Sequence, residues 1–183
     1  MSTATVSSVF TPDLAMTLPS ERGALRWLWL SLAVILLDHL TKWLATSLLA
    51  YATPVAVLPV FDLTLLHNTG AAFSFLAGAG GWQRWFFALV ALGVSAYLVL
   101  WLKRTPASQR WLACALALVL GGALGNLVDR VLLGYVVDFI SVHWGRHYYP
   151  AFNIADSAIT AGAVMLLWDM LRGNGGTDSS STE

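Results

Sequence analysis

Asp38, Thr41 and Lys42 stand at i, i+3 and i+4 within "LLDHLTKWL", and Asn126, Asp129 and Arg130 repeat that spacing within "GNLVDR". Residues three and four apart share one face of a helix, so each set forms a polar stripe on an otherwise apolar segment. Asn153 and Asp156 make a third stripe at i, i+3, and Asp138 follows Gly134 in "GYVVDF". Acids and amides in such company can pass protons, to a bond being hydrolysed or along an ion relay. Asp138 and Asp156 are the foremost functional candidates, because neither has a cation beside it in sequence. Asp129 with Arg130 and Asp38 with Lys42 can also be read as charge pairs that pin helices together. The histidines at 39, 67, 143 and 147 show no metal-ligand spacing, and no HExxH occurs.

The elements that must position these groups follow from composition. The chain has 183 residues, 57% hydrophobic and 11% charged. Such a composition places most of it in lipid rather than water. Net charge is zero and no basic run exists, which argues against a nucleic-acid partner. The single cysteine, Cys114, lies in an apolar segment and reads as packing. Four windows have the roughly 20 apolar residues that a bilayer crossing needs. They are Ala24 to Leu49, Trp82 to Leu102, Trp111 to Val131 and Phe152 to Leu171. The expected fold is therefore a membrane all-α domain over residues 24–172. It has four transmembrane helices and a small extramembrane β-sheet from the prolines and β-branched residues of about 54–78, between the first two spans. Residues of about 134–151 are rich in Trp, Tyr and His and are expected to form a loop at the headgroup level. Residues 1–23 lack the pattern of a cleavable signal peptide and read as a flexible cytoplasmic extension, and 173–183 as a disordered tail.

Arg22, Arg26, Lys103, Arg104, Arg110 and Arg172 flank the spans on what an even number of crossings makes one side, expected to be the cytoplasm. Both termini then lie there. At about 1.5 Å per residue from that side, Asp38 sits about 18 Å up, Asp129 about 27 Å and Asp156 about 24 Å, all in the outer half of the bilayer. Three polar stripes at similar depth imply one shared site, since each would otherwise face lipid. Asp138, nine residues after Asp129, can join them only if the third helix breaks near Gly134. Phe139 is then expected to cover it.

Five stretches in order, "DHLTK" at Asp38, "NTGAAF" at Asn68, "GNLVDR" at Gly125, "GYVVDF" at Gly134 and "FNIAD" at Phe152, resemble the motifs of the bacterial lipoprotein signal peptidases, also called signal peptidase II. The N-terminal extension lies outside them. The resemblance implies an aspartyl endopeptidase of the inner membrane, its active site near the periplasmic face, with Asp138 and Asp156 as the catalytic dyad. It implies a prolipoprotein substrate whose cysteine carries a diacylglyceryl group, with the cut just before that cysteine. Asn68, Gly70, Asn126, Asp129, Arg130 and Asn153 would bind substrate or support the site, and Asp38 with Lys42 the packing. Neither metal nor cofactor is required, and membrane lipid is the other expected partner of what should be a monomer. The outer sheet, with the Asn68 to Phe75 loop, could close over bound substrate. Read from the residues alone, a proton-coupled transporter and a serine-lysine protease are the competitors. The first is weakened by the lack of an internal repeat, the second because Ser47 lies too far along its helix from Lys42.

Overall fold

A computed structural model describes residues 23–70 and 80–173. The readings of the N-terminal extension through residue 22, of the tail beyond 173 and of the greater part of the Asn68 to Phe75 loop lie outside the described residues. In chain order the elements are α1 (Leu28–Leu48), β1 (Val55–Leu58), β2 (Phe61–Asn68), α2 (Trp82–Arg104), α3 (Arg110–Leu132), β3 (Val136–Trp144), β4 (His147–Tyr148) and α4 (Ile154–Gly173). A 3₁₀ turn at Ala24–Trp27 leads into α1. The shortest of the four helices, α4, has 20 residues. That number gives a helix of about 30 Å, the thickness of a bilayer core. All four helices are long and apolar enough to cross a membrane.

The central helix is α3, which packs against α1, α2 and α4. Helices in lipid gain little from hiding leucine, so close approach of backbones decides which faces meet. Gly121-x-x-x-Gly125 supplies that approach. A Cβ added at Gly121 would lie 2.8 Å from the Ser31 carbonyl oxygen, and one at Gly125 2.8 Å from Asp38 Oδ2. Ser31 Oγ closes the α1–α3 seam by donating to the Ala117 carbonyl at 2.8 Å. At the end expected to be cytoplasmic, Ala24 N donates to Thr105 O at 3.1 Å and Arg26 to Ala107 O at 3.1 Å, tying the start of α1 to the α2–α3 turn.

At the opposite end lies one antiparallel sheet of order β1-β2-β3-β4. Its first two strands come from the expected segment. Its other two come from residues 134–151, expected as a headgroup loop, which instead extends the sheet by pairing β3 with β2. The helix does break at Gly134, whose φ is 87° and whose N–H donates to Asp129 O at 3.3 Å. That left-handed φ is one that glycine adopts without strain. The chain thus turns directly from α3 into β3.

Pairing of β2 with β3 passes from Leu66↔Asp138 to Leu63↔Ile140, so Thr64 and Leu65 together stand opposite Phe139 alone. At this bulge the N–H groups of Phe139 and Ile140 both donate to Phe152 O, at 3.1 and 2.9 Å, which bends β3 and clamps the start of α4 beside it. The bend lets Asp138 and Ser141 line the same cavity despite their odd spacing. Leu65, Val137 and Phe139 point the other way and form a buried cluster with Ala45 of α1. Phe139 is therefore floor beneath the sheet and does not cover Asp138.

Candidate active site

Asp138 reaches the site from β3 and is 3% exposed. Its Oδ1 accepts from Asn153 Nδ2 at 2.8 Å and its Oδ2 from Asn68 Nδ2 at 3.1 Å. Burial, reinforced by the nearby Asp156 carboxylate, raises its pKa to about 7, against the pull of those two amides and Lys42. Gly70 fixes the Asn68 side chain by donating its N–H to Asn68 Oδ1 at 3.0 Å.

Asp156 stands in the first turn of α4, where backbone N–H groups lack helical partners. Asn153 and Asp156 satisfy one another there. Asp156 N donates to Asn153 Oδ1 at 2.9 Å and Asn153 N to Asp156 Oδ2 at 3.3 Å. This is the reciprocal pattern of a capping box. Asp156 Oδ1 accepts from Asn126 Nδ2 at 2.7 Å. Asn153 Nδ2 also lies 3.2 Å from Asn126 Oδ1, so the two asparagines join the two acids into one network. Both acids are held by amide donors, and neither takes part in an ion pair among the described residues.

Behind this layer lies a buried ion cluster. Lys42 Nζ sits 2.7 Å from Asp38 Oδ2 and 2.8 Å from Asp129 Oδ2, and donates to Asn126 Oδ1 at 3.0 Å. Asp38 Oδ1 accepts the Ala155 N–H at 2.9 Å and Asp129 Oδ2 the Val137 N–H at 3.2 Å. The cluster therefore grips the residues preceding both Asp156 and Asp138 in the chain. Asp129 thus pairs with Lys42 of another helix and not, among the described residues, with its sequence neighbour Arg130. Arg130 instead donates to Asn126 O and Gly70 O, both at 3.2 Å, with its guanidinium 5.5 Å from the centre of the Phe87 ring.

Asp138, Asp156, Asn68, Asn126 and Arg130 line one cavity of about 1270 Å³. Asp38, Lys42, Asp129 and Asn153 stand in its supporting wall. Part of the lining comes from α4, with Ser157 and Thr160, and part from the sheet and the residues beside it, with Thr64, Ser141, Tyr148 and Tyr149. Thr64 and Ser141 are unmarked in the sequence, and only the face assignment of β2 and β3 could have found them.

The family model for signal peptidase (SPase) II matches residues 30–172. A lipoprotein signal peptidase of Pseudomonas putida is 61% identical over 152 residues, covering 82% of this chain and 89% of that protein. One of Pseudomonas syringae pv. tomato is 56% identical over 163 residues, covering 88% and 94%. A bacterial membrane enzyme solved by the in meso method at 2.3 Å resolution superposes with a TM-score of 0.76 at 28% identity, covering 86% of this chain and 94% of that one.

Proposed function

Because the chain belongs to the signal peptidase II family, whose peptidases remove signal peptides from prolipoproteins, we propose that Asp138 and Asp156 are the dyad that performs this hydrolysis here. One observation carries the reading: the two acids share a cavity and, among the described residues, are hydrogen-bonded by neutral amides and form no ion pair. Like charges in a buried site resist joint ionisation, so the pair holds one proton between them. The ionised member takes a proton from water as the water oxygen attacks the scissile carbonyl carbon. The protonated member gives its proton to the carbonyl oxygen. The tetrahedral diol then returns one hydroxyl proton to the ionised acid as the carbonyl re-forms, the C–N bond breaks, and the leaving amine takes the proton of the other acid. Amide hydrogen bonds suit the carboxylates better than a direct ion pair on each would, since such pairs would favour both acids ionised and remove the proton the reaction needs.

The substrate is a prolipoprotein bearing a diacylglyceryl group on the cysteine that follows the cut. Its acyl chains stay in the bilayer while the peptide enters between the spans. The site faces the periplasm and both termini the cytoplasm of an inner-membrane protein, as supported by Arg26, Lys103, Arg104, Arg110 and Arg172 at the end opposite the sheet. A single copy supplies both acids, so a monomer suffices.

The test is a gel shift. With diacylglyceryl-modified prolipoprotein as substrate, Asp138→Asn and Asp156→Asn variants insert into the membrane as wild type does and lose at least about a thousandfold in cleavage rate. Cleavage by either variant within tenfold of wild type rejects the assignment.

A further inference from the structure

The part of the cavity lined by the sheet contains a buried polar group that the reaction does not use. Thr64 is 7% exposed, lines the cavity, and its Oγ1 has no hydrogen-bond partner among the described residues. A hydroxyl removed from water without a partner is costly, and native structures rarely leave one so. Thr64 also stands in the bulge between β2 and β3, and bulges beside active sites serve to re-aim a side chain. From these we infer that Thr64 is a binding residue for the mature part of the substrate, hydrogen-bonding its main chain or a small polar side chain just past the lipidated cysteine.

The direction follows from the two parts of the lining. Ser157 and Thr160 lie on α4, a helix long and apolar enough to span the membrane, and that part suits the signal peptide and acyl chains. Thr64 and Ser141 lie on the sheet, outside the spans, and that part suits the hydrophilic chain that is released. The position follows from register. Leu66 pairs with Asp138, and Thr64 lies two residues further along β2. Two residues of strand span about 7 Å. An extended peptide with its scissile carbonyl at Asp138 therefore carries its second residue beyond the cut past Thr64. Ser141, 5% exposed, continues the polar wall. Behind it Asp62 receives the Tyr148 hydroxyl at 3.5 Å and stands 3.3 Å from His143 Nε2, which fixes this end of the sheet.

The inference rests on the dyad reading, and its test separates the two. Wild type, Thr64→Val and Thr64→Ser enzymes in lipid nanodiscs are given two diacylglyceryl peptides, one continuing into mature-chain residues and one amidated at the lipidated cysteine. The expected result is a KM about tenfold higher for Thr64→Val on the long peptide, kcat within about twofold, recovery with Thr64→Ser, and no difference among the three on the short peptide. Equal KM for wild type and Thr64→Val on the long peptide overturns the inference, and so does equal impairment on both peptides, which marks a structural role. Asp138→Asn on the same peptides reads the dyad independently, so a failure at Thr64 leaves that assignment standing.

Discussion

Four aspartates meet at the sheet end of this helix bundle, and they live in two different environments. Asp38 and Asp129 share one cation, Lys42, at 2.7 and 2.8 Å. Asp138 and Asp156 receive hydrogen bonds from Asn68, Asn153 and Asn126 and have no ion-pair partner among the described residues. In the proposed mechanism the same functional group serves as a rivet in one place and a proton carrier in the other, according to its donors. Lys42 and Asn126 link the two environments, since Lys42 donates to the amide that in turn donates to Asp156.

Breaking the ionic half has the largest expected effect on folding. Lys42→Met leaves two buried carboxylates without their cation and should cost about 3–5 kcal/mol, seen as a large fall in the thermal midpoint of the detergent-solubilised enzyme. Unchanged melting would mean that the cluster contributes nothing to the bundle. Gly125→Ala is milder. The added methyl carbon would stand 2.8 Å from Asp38 Oδ2 and 3.3 Å from Ala155 Cβ. A loss of about 1–3 kcal/mol is expected from such crowding, with the cleavage rate at a permissive temperature largely kept.

The other half is probed by pH. Asp138 has its pKa raised to about 7, so its protonated form is present at neutral pH and is lost as pH rises through that value. Cleavage should therefore fall on the alkaline side with an apparent pKa near 7, about tenfold per unit well above it. The same shift gives the sign for stability: a folded-state pKa above the unfolded one favours the folded chain at low pH and stops helping it once pH passes about 7. A cleavage rate flat from pH 6 to 9 would separate Asp138 from the proton the reaction needs.

Much of this is legible in the sequence because lipid is an unforgiving solvent. Hydropathy marks the spans to within a few residues, and polar stripes on apolar helices mark Asp38, Lys42, Asn126, Asp129, Asn153 and Asp156 as groups that must meet. Gly134 announces the break that delivers Asp138. The strands β3 and β4 are hidden for a physical reason. "VVDFI" is buried on both faces, so it lacks the alternation of a half-exposed strand, and its partner β2 lies some seventy residues earlier in the chain. Thr64 is hidden with them, since its role depends on a register that only the pairing sets. The expected cover by Phe139 fails for the related reason that neighbours on a strand point to opposite faces.

The sheet that carries the site is contributed half by the linker after α1 and half by the linker after α3. A chain emerging from the ribosome contains α1, β2 and α2 before Asp138 exists, and Asn68 must wait for its acid until β3 arrives. If Asp138 and Asp156 are the dyad, activity requires both linkers and α4, and it can arise only once the last span is in place and the two linkers have paired.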